Sequence, residues 1–145
     1  MPDPTFDPSI FEQQQYTEAS DTKYVTVPAA EYPAVIKSHK FRQEKGYTIL
    51  DLVWAVDDQG ARDATGMKEP TVRQSIFLDM TPNGGLDFGK GKNVKLGRLR
   101  EATGLNQPGQ AFSFNMLDGR PARIKVEHRI SGEDTFADVK ETTRL

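Results

Sequence analysis

The chain contains no cysteine, which excludes disulfide bonds, thiolate metal sites and cysteine nucleophiles. It also lacks any apolar run close to the roughly 20 residues that a membrane-spanning helix needs. Its first residues, MPDPTFDPS, have neither the cationic nor the apolar region of a secretory signal. We therefore expect a cytoplasmic protein of one domain, with no membrane partner.

Catalytic signatures are equally scarce. His39 and His128 are the only histidines, and they do not form a two-histidine metal motif. The glycine-rich segment near residue 90 matches neither a P-loop nor a dinucleotide-binding fingerprint. Asp118, Asp138 and Lys140 could be assembled into a metal-dependent nuclease site, but such a short triplet arises easily by chance. We expect no enzyme activity and no cofactor or metal.

Charge is distributed unevenly along the chain. The net charge is −2, yet residues 1–31 carry six acids and one lysine, whereas residues 90–130 carry nine basic residues and three acids. This asymmetry is typical of a protein in which one segment meets a polyanion and another does not.

The first 28 residues predict an extended acidic arm, because three prolines and a glutamine run do not favour a packed element. Four apolar residues interrupt it, and they could anchor the arm on its own domain or on a partner: Phe6, Ile10, Phe11 and Tyr16. Residues 29–145 form the predicted folded domain.

That domain is rich in strand signals. Alternating or β-branched segments bounded by turn residues predict five strands, at 32–40, 47–56, 72–80, 121–130 and 135–141. Residues 57–70 are predicted to be a polar loop, and 111–117 fit either a short strand or one helical turn that begins after Ser113.

The side-chain alternation within these strands predicts their faces. In the second strand an exposed Asp51 implies exposed Ile49 and Val53, and it directs Trp54 into the core. In the fourth strand the apolar face also carries His128, which we expect to be buried and hydrogen-bonded. The remaining assignments put Val72, Ile76, Leu78 and Ile130 in the core and Arg73, Phe77, Arg123, Lys125 and Arg129 outside.

One helix is predicted within residues 88–105, between the third and fourth strands. Asn93 is a candidate N-cap and Gly104 a candidate left-handed C-terminal residue. Leu96, Leu99, Ala102 and Thr103 share one face and would dock the helix. The glycine- and lysine-rich loop before it is a candidate anion site, because helix N-termini present unpaired N–H groups.

The order of five strands with one helix between the third and fourth is that of the OB-fold, a Greek-key barrel that commonly binds oligonucleotides. We therefore predict a mainly β protein with this fold. Single-strand binding needs cations along the phosphates and aromatic rings for the bases. The residues that supply them here are Lys40, Phe41, Arg42, Lys45, Tyr47, Arg73, Phe77, Lys90, Lys92, Lys95, Arg120, Arg123, Lys125 and Arg129.

Several segments resemble the small OB-fold single-stranded DNA-binding proteins of tailed bacteriophages. They are EYPAVI at 31–36, the LGRLREATGL core within 92–105, and LDGR at 117–120, which leads into 122–129 and 136–140. Together they span about residues 28–141.

The resemblance implies non-catalytic, largely sequence-independent binding of single-stranded DNA, or RNA, during phage replication, recombination or repair in the host cytoplasm. It implies phosphate contacts from Lys90, Lys92, Lys95, Arg120, Arg123 and Lys125, and a stacking role for Phe77. Many members of the group end in an acidic tail that recruits replication proteins. In this chain the acidic segment is N-terminal, which would move contacts with replication or recombination proteins to the arm.

The residues leave one further function open. The barrel could instead be a virion or assembly component that makes protein contacts, with the arm as its docking strand. The oligomeric state is not fixed by the sequence.

Overall fold

A computed structural model describes residues 5–145 as a five-stranded barrel with short helices. The strands are β1 (Ala30–Glu44), β2 (Tyr47–Val56), β3 (Thr71–Leu78), β4 (Pro121–Ser131) and β5 (Asp134–Thr143). The helices are α1 (Pro8–Gln13), α2 (Gln59–Thr65) and α3 (Val94–Ala102), with a 3₁₀ turn at Phe114–Leu117. Within the described residues no helix is long and apolar enough to cross a membrane.

The barrel closes in the order β1-β2-β3-β5-β4, which confirms the predicted fold class. β1 is the closing element, because it pairs with β4 from Ala30 to Val35 and with β2 from Ala34 to Glu44. A bulge between Ile36 and Ser38 interrupts its register with β2 just after the pairing with β4 ends. Since a bulge adds one residue to one strand, it changes which side chains face outward beyond it.

The core fills the barrel interior as the strand alternation predicts. Trp54, Leu50, Leu52 and Ile124 are fully buried, and the Trp54 indole N–H donates to Gln74 Oε1 at 2.9 Å. α3 packs on β3 and β5 through the predicted face, so that Leu96, Leu99, Ala102 and Thr103 are buried.

The prediction that Ile49 is exposed on the outer face of β2 is wrong. It alternates with Asp51 as expected, but only 2% of it is exposed. In the register it lies between Arg42 of β1 and Phe77 of β3. Directly opposed side chains on one sheet face are close enough to touch, so these long neighbours cover the isoleucine.

The predicted core face of β4 is wrong at its end. His128 is exposed, although its Nε2 donates to the Val27 carbonyl at 2.8 Å, and Ile130 is 78% exposed. β4 pairs with β1 only as far as Val126. The rest of the strand belongs to a two-stranded β4–β5 hairpin, which has no barrel interior behind it.

The loop predicted over 57–70 contains α2, so the prediction of a single helix in the chain was too simple. Asp58 caps this helix by accepting from the Ala61 N–H at 2.9 Å, and Gly66 ends it with a φ of 71°. The ambiguous segment 111–117 forms a 3₁₀ turn that begins after Ser113.

The arm carries α1, whose N-cap is Asp7, and none of residues 5–25 is buried. The four apolar arm residues do not dock on the barrel, as their exposed fractions of 53–68% show. The described arm is attached at Val27, which is buried, and at Pro28, whose carbonyl accepts from the Tyr32 hydroxyl at 2.6 Å.

Asn93 lies at the predicted N-cap of α3, but its side chain has a different role. It makes no capping bond. Its Oδ1 accepts from the Asp79 N–H at 2.8 Å, and its Nδ2 donates to the Asp79 and Asp87 carbonyls at 2.8 and 2.9 Å. Asn93 is buried and has a φ of 52°. It therefore joins the end of β3, the glycine- and lysine-rich loop at residues 89–92, which we call the basic loop, and α3. Gly104, with a φ of 77°, is left-handed after the helix, as predicted.

We expect Asn93→Ala to lower the free energy of unfolding by about 2–4 kcal/mol, because it removes three hydrogen bonds to part-buried backbone groups of Asp79 and Asp87. Urea denaturation followed by Trp54 fluorescence measures this. Asn93→Gly is the control, since it loses the same bonds but tolerates the positive φ. An Asn93→Ala protein as stable as the wild type would contradict the role of this side chain.

Candidate nucleic-acid interface

One outer face of the barrel is formed by the second half of β1 together with β2 and β3. Its residues lie in rows across the three strands, because directly paired residues of antiparallel strands share a face. One row is Arg42, Ile49 and Phe77, and the next is Lys40, Asp51 and Ser75. We call this surface the β1–β3 face.

An exposed aromatic pair lies at one end of the β1–β3 face. Tyr47 and Phe77 are 59% and 56% exposed, their ring centroids are 5.5 Å apart and their planes are inclined at 81°. An edge-to-face arrangement is favourable for the pair itself. Because more than half of each residue remains exposed, the pair can still offer ring surface to a planar ligand.

A carboxylate lies in the middle of this face, and it is fully engaged. Asp51 accepts from Arg42 Nε at 2.8 Å and from the Ser75 hydroxyl at 2.6 Å. The hydrogen bond from Arg42, supported by that from Ser75, lowers the pKa of Asp51, while partial burial opposes the shift. Arg42 also contacts Glu44. Arg42 is thus a structural cation whose charge is already paired.

Other cations on or beside this face have no carboxylate within ion-pair distance among residues 5–145. Lys40 and Arg73 point outward from β1 and β3, at register positions on either side of β2. Lys45 occupies the β1–β2 turn with a φ of 52° and is followed by Gly46. Lys45 is near Tyr47 in the chain, whereas Lys40 lies one row and Arg73 two rows from the row of Phe77. Glu44, which contacts Arg42, is paired with Tyr47 and also lies beside the aromatic pair.

The basic loop lies beyond the end of β3. The hydrogen bonds of the Asn93 side chain fix the end of this loop, where α3 begins. Lys90 and Lys92 are exposed in this loop, and Gly91, with a φ of 75°, permits its turn. Lys95 and Arg98 follow on the solvent-exposed side of α3.

A groove of about 1250 Å³ separates β3 from β5. The two strands are joined at one register position only, Arg73 opposite Asp138, so they diverge elsewhere. Arg73 therefore belongs to both the β1–β3 face and this groove. The cations that line the groove are Arg73, Lys95, Arg98, Arg129 and Lys140.

Two of these groove cations are already paired. Arg129 Nε donates to Asp138 Oδ2 at 2.8 Å, and its guanidinium lies 4.9 Å from the Phe136 ring centroid. Lys140 lies 3.7 Å from Glu127. Arg98 and Lys140 are not among the DNA-binding residues predicted from the sequence, where Lys140 was considered only for the nuclease site. The alternation of Phe136, Asp138 and Lys140 in β5 was the sequence signal that could have indicated Lys140.

Three predicted phosphate contacts lie elsewhere on the barrel. Arg120 precedes β4, and Arg123 and Lys125 point outward from it, opposite residues of β1 and β5. Since β4 is not adjacent to β2 or β3, these residues do not extend the β1–β3 face. The cations that the sequence suggested for one surface are thus divided between two.

Phe41 is also separated from the aromatic pair. Beyond the β1 bulge, Lys40 and Arg42 belong to the β1–β3 face, whereas Phe41 points to the other side. There its ring lies 5.0 Å from Phe114 and 5.8 Å from His39. Phe41 was predicted in the loop between the first two strands, beside Tyr47, but β1 continues to Glu44, and alternation along the strand turns Phe41 away from that face.

The residues of the hypothetical nuclease site do not converge. Asp118 accepts from His39 Nδ1 at 2.8 Å, and Asp138 is bound to Arg129 on β4. Within residues 5–145 no group of three or more His, Asp or Glu residues could hold a metal ion.

Comparisons with known proteins add no family assignment. The sequence matches no family model, and no curated protein matches it significantly. The arguments for function therefore rest on the fold and on the chemistry of its surfaces.

We expect Asp51→Asn to lower the free energy of unfolding by about 1 kcal/mol at neutral pH, since charge-assisted bonds on an accessible face are partly screened. Because folding lowers the pKa of Asp51, its carboxylate stabilises the folded state at pH values above its pKa in the unfolded chain, about 3.9. This stabilisation is lost as the pH falls through the pKa that Asp51 has in the folded state.

Urea denaturation at a series of pH values should therefore show the wild-type advantage over Asp51→Asn shrinking below about pH 4. Glu133→Gln is the matched control, because Glu133 lies in the β4–β5 turn and has no ion-pair partner among residues 5–145. A pH-independent difference between Asp51→Asn and the wild type would contradict this account.

Proposed function

We propose that this protein binds single-stranded DNA, without catalysis and largely without sequence preference, on the β1–β3 face. The observation that carries the proposal is the exposed Tyr47–Phe77 pair. Lys40, Lys45 and Arg73 lie on or beside the same face, and no carboxylate within residues 5–145 is at ion-pair distance from them. Bases stacked on aromatic rings and phosphates held by cations are the two components of single-strand binding.

Two physical arguments favour this ligand. More than half of Tyr47 and of Phe77 is left uncovered by the protein itself, and a base stacked on such a ring contributes about 1–3 kcal/mol. A ring can stack only on a base that is not enclosed between neighbouring base pairs, so the arrangement favours a single strand over a duplex. Stacking is also tolerant of base identity, which accounts for the proposed lack of sequence preference.

The groove between β3 and β5 would continue the binding path. Arg73 borders both surfaces, and Lys95 and Arg98 follow on α3. The basic loop with Lys90 and Lys92 lies beyond the end of β3, close in sequence to α3. A strand that leaves the aromatic pair past Arg73 would therefore meet further cations without crossing an acidic surface on β3.

The biological setting is part of the proposal. Coating of exposed single strands during phage replication, recombination or repair in the host cytoplasm would fit both the resemblance and the proposed chemistry. RNA could occupy the same surface, because stacking and phosphate contacts do not require the deoxyribose. Binding assays with matched DNA and RNA oligomers distinguish the two.

We expect Phe77→Ala to weaken binding of an oligo-dT by about 5- to 150-fold, which corresponds to the loss of one stacked base. Fluorescence anisotropy at low salt measures the dissociation constant. Phe41→Ala is the matched control, since Phe41 is exposed to a similar extent, 49%, but faces the other side of the barrel. Equal losses in the two variants, or a larger loss for Phe41→Ala, would contradict the assignment of this face.

We expect Arg73→Ala to reduce the salt dependence of binding by about 0.7 log units of affinity per log unit of salt, the value for one phosphate contact on a single strand. The same titration with Arg123→Ala should leave the slope unchanged, because Arg123 lies on β4. If the wild type does not bind oligo-dT at low salt, the proposed function is wrong. A changed slope for Arg123 alone would move the interface to β4.

An assembly role is the second candidate, and the arm is the observation that favours it. Its exposed apolar residues resemble a protein-binding segment more than a nucleic-acid contact. In that case the protein would form stable complexes without nucleic acid and would show no salt-sensitive retention of DNA.

A further inference from the structure

The N-terminal arm presents an apolar cluster that its own barrel does not cover. The Phe6 and Phe11 ring centroids are 5.2 Å apart, and those of Phe11 and Tyr16 are 6.4 Å apart. Ile10 lies on the same short helix and is 68% exposed. Four large apolar side chains within eleven residues form a patch of the kind that marks a protein contact. We call residues 6–16 the arm cluster.

The charge around the arm cluster has one sign. Residues 1–22 contain no lysine or arginine, whereas Asp7, Glu12, Glu18 and Asp21 lie in the described part of the arm. A surface that receives the cluster must therefore combine apolar lining with positive charge.

The groove between β3 and β5 has this combination. Phe136, Ala137 and Val139 of β5 and Met67 line it, so apolar surface is accessible inside it. Lys95 and Arg98 border it from α3, and both are exposed. No carboxylate within residues 5–145 lies within ion-pair distance of either cation. The groove is also lined by Asp134, Asp138 and Glu141, so its five cations outnumber its three acids, and Asp138 is paired with Arg129. Its volume of about 1250 Å³ is sufficient for several large side chains.

The origin of the arm favours a neighbouring chain as the source of the occupant. Residues 24–27 line the groove of their own barrel, and Val27 fixes the chain there. The arm then leads away with every residue from 5 to 23 exposed. Because the arm leaves from the rim of its own groove, two barrels whose grooves face each other can exchange arms reciprocally, which is the arrangement of a twofold-symmetric swapped dimer.

We propose that the arm cluster of one chain binds in the β3–β5 groove of a second copy, so that the protein forms an arm-exchanged dimer. The apolar side chains supply the buried area, and the acids of the arm face the α3 cations. This self-association needs no nucleic acid, so it does not depend on the proposed function.

Sedimentation velocity of the nucleic-acid-free full chain over a wide concentration range tests the proposal. We expect a monomer–dimer equilibrium whose dissociation constant rises on the order of tenfold or more in Phe11→Ala, because a buried phenylalanine is lost. Arg98→Glu should weaken the dimer similarly, and added salt should weaken it further. The controls are Met116→Ala and Arg123→Glu, which alter exposed residues outside the arm and the groove and should leave the equilibrium unchanged.

A mixing experiment identifies the exchange itself. The Phe11→Ala chain retains a normal groove, and the Arg98→Glu chain retains a normal arm, so a mixture of the two can form one intact contact per heterodimer. Where each substitution abolishes the contact that it touches, the homodimers keep no intact contact and the heterodimer keeps one, so we expect the mixture to associate more strongly than either variant alone; additive losses would give an intermediate affinity. A wild-type chain that remains monomeric at all concentrations would overturn the proposal. That result is expected if the arm docks on its own barrel or on a different protein. A dimer unaffected by Phe11→Ala would also overturn it.

Discussion

Closure of the barrel by β1 is the constraint on which the other features of this structure depend. The strand pairs with β4 from Ala30 to Val35 and with β2 from Ala34 to Glu44, and no other strand contacts both. Because β1 continues along β2 after it has left β4, it must change direction, and the bulge between Ile36 and Ser38 gives it a local bend. The same bulge determines that Lys40 and Arg42 belong to the β1–β3 face and that Phe41 does not.

The second organising feature is how the β1–β3 face accommodates a carboxylate. Asp51 would repel phosphates if it were unpaired, but Arg42 and Ser75 bind it from the two neighbouring strands. The arrangement joins three strands on their solvent side and removes much of the local negative charge. It leaves Lys40, Lys45 and Arg73 as cations on or beside this face with no carboxylate of the described chain within ion-pair distance.

Weak pairing between β3 and β5 gives the protein a groove of about 1250 Å³. A barrel with continuous pairing on every side would have no such groove, whereas one bridge at Arg73 and Asp138 lets the strands diverge. The groove lies beside the β1–β3 face and also beside the origin of the arm. Nucleic-acid binding and self-association would therefore use neighbouring surfaces. The acidic arm and the phosphates of a nucleic acid would then contact some of the same cations.

The sequence by itself determined the secondary structure that repeats regularly. Alternation in β2, β3 and β4 predicted strands and most of their inner faces, and Trp54, Ile76 and Leu99 were correctly placed in the core. The element order then predicted the barrel, because few topologies fit five strands with a helix before the fourth. α2 was missed, since its seven residues carry too short an apolar pattern to outweigh their polarity.

Only the tertiary structure decided which residues share a surface. Arg73 and Arg123 look equivalent in the sequence, as exposed arginines of alternating strands, yet strand order places them on different sides of the barrel. Ile49 is covered because of the side chains across the register, and Ile130 is exposed because β4 extends beyond its pairing with β1. Local pattern predicts the direction of a side chain relative to its own strand. What that side chain meets depends on bulges, register and closure, which arise from contacts distant in sequence.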